Sequence, residues 1–148
     1  MSDQLSHQPS DAPTTVVDRT SDEVLRVLAR LAQESGVEMG ITVAVGGGVV
    51  SGVLIAREKW LDKYVLAYST SSEEGQEVAR RLRDAFQQED LVGSEETPFR
   101  YHYLHLQDAQ LVHGSTGLPA DRGGFWRVRL DAVTEWSPGT LRAPEADS

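Results

Sequence analysis

Cysteine is absent from this 148-residue chain, which excludes disulfides and thiolate metal sites. Long apolar runs are absent as well. The longest, Val43 to Ile55, is broken by Gly46, Gly47, Gly48, Ser51 and Gly52, well short of the roughly 18 apolar residues a membrane-spanning helix requires. The opening MSDQLSHQPSDAPTT has no basic start and no apolar block, so it does not read as a secretory signal, and a cytoplasmic protein is expected. Positive charge is scarce: 14 Lys+Arg face 23 Asp+Glu, a formal net charge of −9. Residues 21–136 carry −6 of this, so the acidity belongs to the part expected to fold. A surface of that sign repels phosphate, which argues against nucleic acid and anionic membranes as partners.

Catalytic signatures are equally lacking. The chain has no G-x-S-x-G elbow, no Walker sequence and no H-E-x-x-H helix. Gly46-Gly47-Gly48 joins two expected strands and does not open a helix, so it lacks the aligned N–H groups of a phosphate loop. His102 and His105 are three residues apart on an expected strand and point to opposite faces, which prevents a shared metal. Glu73, Glu74 and Glu77 suit the start of a solvated helix better than a ligand set. The expectation is a non-enzymatic protein with no cofactor and no metal.

What is present divides into three parts. Residues 1–19, rich in Ser, Asp, Pro, Thr and Gln, read as a disordered arm, and residues 138–148 as a flexible C-terminal tail. Residues 20–137 form a single α+β domain. Thr20 and Glu23 fit a capping box, followed by the apolar stripe Val24, Leu25, Val27, Leu28 and Leu31. Gly36 stops this helix. Gly40 to Ala56 reads as a β-hairpin turning at Gly46-Gly47-Gly48, with Gly52 marking a sharp bend.

Two helices follow. One puts Trp60, Leu61, Tyr64, Val65 and Tyr68 on a face; the other does so with Val78, Leu82, Ala85 and Phe86, capped by Ser71. A long strand then runs from Phe99 to Val112, and a Gly-rich loop over 113–124 leads to strands at Phe125–Leu130 and Val133–Trp136. This order predicts a small, strongly bent β-barrel with Sm-like strand order, an N-terminal helix and a helical insertion between strands two and three.

Trp60, Trp126 and Trp136 have a plain reading as core. Phe125 and Trp126, however, are adjacent on a strand and face opposite ways. One of them is expected outside the barrel, where a large aromatic marks a contact site. Arg127 and Arg129 share a face of that strand and could grip carboxylates on a partner. Trp126, Arg127, Arg129 and Trp136 are therefore the expected partner-binding residues.

Two segments carry a resemblance. One is Met39-Gly40-Ile41-Thr42-Val43 with Val50-Ser51-Gly52-Val53-Leu54-Ile55. The other is Tyr103-Leu104-His105-Leu106-Gln107-Asp108-Ala109 with Phe125-Trp126-Arg127-Val128-Arg129-Leu130-Asp131-Ala132-Val133. Together they resemble the gas vesicle accessory protein GvpU family over roughly residues 36–141. Gln107 and Val128 stand where that family has Lys and Gly. The resemblance implies an accessory protein associated with gas vesicles in the cytoplasm, acting in their assembly or clustering and not as the main shell subunit. Its implied partners are vesicle shell or accessory proteins, with homo-oligomerisation through exposed strand edges. The Sm-like order alone also suggests an oligomeric RNA-binding protein, which the acidic core opposes.

Overall fold

The computed structural model describes residues 22–68, 72–92, 99–113, 116–118 and 123–141. Its first element is helix α1, Glu23–Ser35. Thr20, the expected cap, lies outside the described residues. Asp22 is the N-cap, its carboxylate accepting from the Val24 N–H at 2.8 Å and the Leu25 N–H at 3.2 Å. Gly36 ends the helix with φ 75°, donating to the Ala32 carbonyl at 3.2 Å. The buried face differs from the expected stripe. Leu25 is buried with Ala29 and Ala32, while Val24, Val27 and Leu31 are exposed. Two alanines on the inner face let the helix approach the sheet closely beside Leu25 and the half-buried Leu28, and Val24, Val27 and Leu31 are turned outward.

The hairpin forms as expected from β1 (Met39–Val45) and β2 (Gly48–Ile55). Its two-residue turn, Gly46-Gly47, has φ values of 55° and 90°, the conformation of a turn whose twist matches the strands. Helices α2 (Arg57–Tyr68) and α3 (Glu73–Asp90) form the insertion. Ser71 lies outside the described residues, and Ser72 caps α3 by accepting from the Gly75 N–H at 3.0 Å. Ala79 and Phe86 are the buried residues of α3, whereas Val78 is exposed and so is Ala85. Phe99–His102 is a 3-10 turn, and strand β3 begins only at Tyr103 and runs to His113. Thr116–Leu118, inside the stretch expected to be loop, forms a short strand, β4. Strand β5 (Gly124–Arg129) passes through a 3-10 turn, Leu130–Ala132, into β6 (Val133–Pro138).

All the strand pairs are antiparallel, in the order β4–β3–β2–β1–β6, with β5 also on β3. The outer edge of β3 is divided: Tyr103–Ala109 pairs with β5 and Leu111–His113 with β4. Just before the division the β5 ladder shifts register between Leu106 and Ala109, around Asp108, a non-glycine residue with φ 52°, a conformation in which Asp is among the better-tolerated side chains. Glycines flank this kink. A Cβ on Gly52 would lie 2.8 Å from the Ala109 Cβ, and one on Gly123 only 2.1 Å from the Asp108 carbonyl carbon. The bend expected at Gly52 is thus a bulge against β3.

The α+β class holds, but the expected barrel is not closed. No ladder among the described residues joins β5 to β6, which follow one another through the 3-10 turn Leu130–Ala132. Past Pro138 the chain remains attached: the Gly139 N–H donates to the Gly40 carbonyl at 2.8 Å and the Leu141 N–H to Ser51 Oγ at 2.6 Å.

Each face of the sheet has its own core. Under α1 lie Ile41, Val43, Val50, Leu54, Leu104, Leu106 and Val128. Against α2 and α3 the opposite face packs Ile55, with Trp60, Leu61 and Phe86 from the helices and Phe125 beside them. Leu54/Ile55 and Trp126/Phe125 fall on opposite sides, as strand alternation requires. No helix among the described residues is long and apolar enough to cross a membrane.

Candidate partner-binding face

Strand β5 divides its side chains between the two cores. Trp126 and Val128 pack on the α1 side, while Phe125 meets Trp60 and Tyr64 edge-on, at centroid distances of 6.1 and 5.9 Å. Neither member of the Phe125–Trp126 pair is left outside, because the helical insertion covers the outer face of the sheet.

Arg127 follows Phe125 to the helix side. Its Nε donates to His105 Nε2 at 3.0 Å, and its Nη2 donates to both oxygens of Glu89, at 2.5 Å to Oε1. The guanidinium also lies 3.8 Å from the Tyr103 ring centroid and 4.9 Å from that of Phe86. Glu89 is shared with Arg57, a residue only 2% exposed, which donates to it at 3.2 Å and to the Phe86 carbonyl at 2.5 Å. Asp90 and Glu58 add further pairing to Arg57, at 3.3 and 3.4 Å. Planar guanidinium forks suit such sharing, since each presents several donors at once. The outcome is a buried polar clamp joining α2, α3, β3 and β5.

His105 lies within that clamp. Burial pushes its pKa well below the usual 6.5, and the Arg127 and Arg57 cations push the same way. Nε2 accepts from Arg127, so the neutral ring carries its proton on Nδ1. Among the described residues no group of three His, Asp or Glu side chains could hold a metal ion.

Arg129 points outward and pairs with Asp131 at 2.7 Å. Trp136, on β6, is half-buried against the α1 core and donates from Nε1 to Asp22 Oδ2 at 2.8 Å. That bond, together with the helix N–H groups, holds the Asp22 carboxyl below its usual pKa. The third indole, Trp60, donates to the Leu106 carbonyl at 3.0 Å. Trp126 alone among the three has no hydrogen-bond acceptor among the described residues.

Beside Trp126 opens a cavity of about 340 Å³, lined by Val45, Val50, Leu111, Trp126, Arg127, Val128, Arg129 and Ala132. Of the four residues expected to bind a partner, Trp126, Arg127 and Arg129 come together at this cavity, and Trp136 does not line it. Val45, Val50, Leu111 and Ala132 carry no chemical signal in the sequence. They meet here only because the hairpin, β3 and the turn after β5 converge at the open seam of the sheet.

A family model described as "Gas vesicle protein GvpU-like" matches residues 22–141. No curated protein and no solved structure shows significant similarity to the chain. The family match spans α1 through β6, and with them both cores, the polar clamp and the cavity. The chain belongs to the GvpU-like family of gas vesicle proteins.

Proposed function

We propose that this protein is a non-enzymatic accessory factor of gas vesicles, located with them in the cytoplasm. It binds the vesicle shell or another vesicle protein and assists vesicle assembly or clustering. The observation that carries this reading is the apolar cavity at Trp126, in a chain of this family. An apolar concavity bordered by an aromatic and arginine is the composition that protein interfaces favour. Contact through β5 and its following turn, with Trp126, Arg127 and Arg129 at the rim and Trp136 at a second position, is part of the proposal. So is self-association, for which β5 and β6 each offer an edge that carries no strand among the described residues.

The test is flotation. Purified buoyant vesicles should bring the protein to the surface layer, and deleting its gene should alter vesicle number, size or dispersion. Recovery wholly below the vesicle layer, with vesicles unchanged by deletion, would discard the proposal.

The strand order β5–β3–β2–β1–β6, with a 3-10 turn between β5 and β6, supports the second reading, an Sm-like RNA-binding oligomer. The net charge of −9 opposes it. Titration with single-stranded RNA at low salt, where electrostatic binding is strongest, separates the two.

A further inference from the structure

Three properties meet at the cavity beside β5. Its described lining is aliphatic and aromatic apart from Arg127 and Arg129, with no acidic residue among the described ones. In a chain of net charge −9, two arginines thus stand at the cavity margin. Arg127 has its charge taken up by Glu89 on the other side of the strand. Arg129 is matched only by Asp131, in a pair whose side chains are 64% and 46% exposed. Such a surface pair is weak and exchanges readily for another carboxylate.

The second property is the strand edge. Trp126 and Val128 send their side chains to the α1 core, and Arg127 sends its own to His105 and Glu89. Arg127 therefore borders the cavity with its main chain. Among the described residues β5 has a ladder only to β3, so its other edge is open there. The third property is the Trp126 indole N–H, which has no acceptor among the described residues and is not sealed in the core, so it can donate to an oxygen that enters the cavity.

We propose that this cavity receives an apolar side chain from an acidic, extended segment of a partner protein, which adds as a strand to the open edge of β5. Main-chain hydrogen bonds along β5 supply the affinity, and the cavity selects the apolar side chain. A carboxylate beside that side chain takes Arg129 from Asp131. A carbonyl or carboxylate of the same segment accepts from the Trp126 indole. The proposal rests on the accessory-protein reading and names the chemistry of its partner.

The probe is an acetylated, amidated peptide in which Glu alternates with Val around a central Leu. Two controls replace every Glu with Lys, or the Leu with Ser. Backbone and indole NMR of the full chain is expected to show shifts at Phe125–Arg129, Val45, Val50 and the Trp126 indole. Affinity for the Glu peptide is expected to exceed that for the Lys peptide by about ten-fold, roughly 1.4 kcal/mol. Ala132→Leu, which fills the cavity, should abolish binding, and Arg129→Glu should remove the preference for Glu. If Ala132→Leu does not fold, the wild-type shift map and the three-peptide comparison still decide.

Equal affinity for the Lys peptide, or shifts confined to the exposed α1 residues Val24, Val27 and Leu31, would overturn the proposal. So would binding of free hexane-type apolar solutes at the cavity with no binding of any peptide. Flotation of wild-type protein with vesicles, beside a failed peptide experiment, removes this inference and leaves the accessory function standing. Failed flotation with successful peptide binding removes the vesicle reading alone.

Discussion

The two faces of the sheet are held by different chemistry, and β5 belongs to both. On the helix side, Arg57, Glu89, Arg127 and His105 are interlocked and covered by α2 and α3. On the α1 side the core is aliphatic, and it ends in an open cavity at Trp126. Apart from Arg57 Nε, which is buried without a partner, these polar groups are paired, and paired polar groups in a low-dielectric setting specify one arrangement and penalise any loosening. Aliphatic contacts are non-directional and tolerate an opening at their margin. The difference teaches that two arginines read alike in the sequence part company in the fold: Arg127 is built into the frame with Glu89, whereas Arg129 stays on the surface in an exposed pair with Asp131.

The sharpest break in that comparison is Glu89→Ala. Removing the carboxylate leaves Arg127 without its counter-ion while Arg57 keeps Asp90 and Glu58, and the loss of these charge-assisted hydrogen bonds should cost about 1.5–3 kcal/mol of stability by urea unfolding. A loss below about 1 kcal/mol, the level of an exposed pair, would mean the helix side is held by aromatic packing instead. Gly52→Ala comes next. Its new methyl would meet Ala109 Cβ at 2.8 Å and Cα at 2.9 Å, and such overpacking should cost about 1–3 kcal/mol. Unchanged stability would show that the bulge can relax.

A third effect is pH-dependent and belongs to the clamp alone. The folded pKa of His105 lies well below 6.5, whereas in the unfolded chain the histidine titrates near that value. Between the two, the unfolded state binds a proton that the folded state refuses, so stability falls as pH drops below 6.5. It should be independent of this group above that pH. Chemical unfolding at a series of pH values should show the slope in wild type and a weaker one in His105→Asn, relative to each protein's own value at neutral pH. An identical slope in both would assign it to carboxylates elsewhere. The smallest effect is expected for Arg129→Ala, within about 0.5 kcal/mol, because its pair is exposed. A thermal melt showing a larger loss would place Arg129 in the frame with Arg127.

Much of the element order was legible because its signals are local. The hairpin turn needed positive φ, and Gly46 and Gly47 supply it. The helices over 57–68 and 73–88 followed from apolar spacing, the second running on to Asp90, and the link from β5 to β6 from its shortness. Cap positions slipped by one or two residues, from Thr20 to Asp22 and from Ser71 to Ser72, since neighbouring Ser, Thr and Asp residues can all serve as acceptors. The inner face of α1 was misread for a different reason. Counting apolar residues favours Val24, Val27 and Leu31, while close approach to the sheet favours Ala29 and Ala32. The kink at Asp108 was not legible: a positive φ at a non-glycine residue is imposed by the strands on either side.

Of the candidate site, the sequence pointed to the β5 residues but not to their division. Alternation predicts that Trp126 and Arg127 face opposite ways, and it is silent on what each meets. Composition and short-range spacing by themselves determined the α+β class, the hairpin, the helical insertion and the acidic character. Tertiary structure decided that the sheet stays open, that Arg127 turns inward to Glu89 across 38 residues of sequence, and that Trp136 bonds to Asp22 across 114. The physical reason is range. Propensity, capping and periodicity act within a few residues, whereas pairing of buried charge and closure of a sheet depend on groups that only the folded chain brings together.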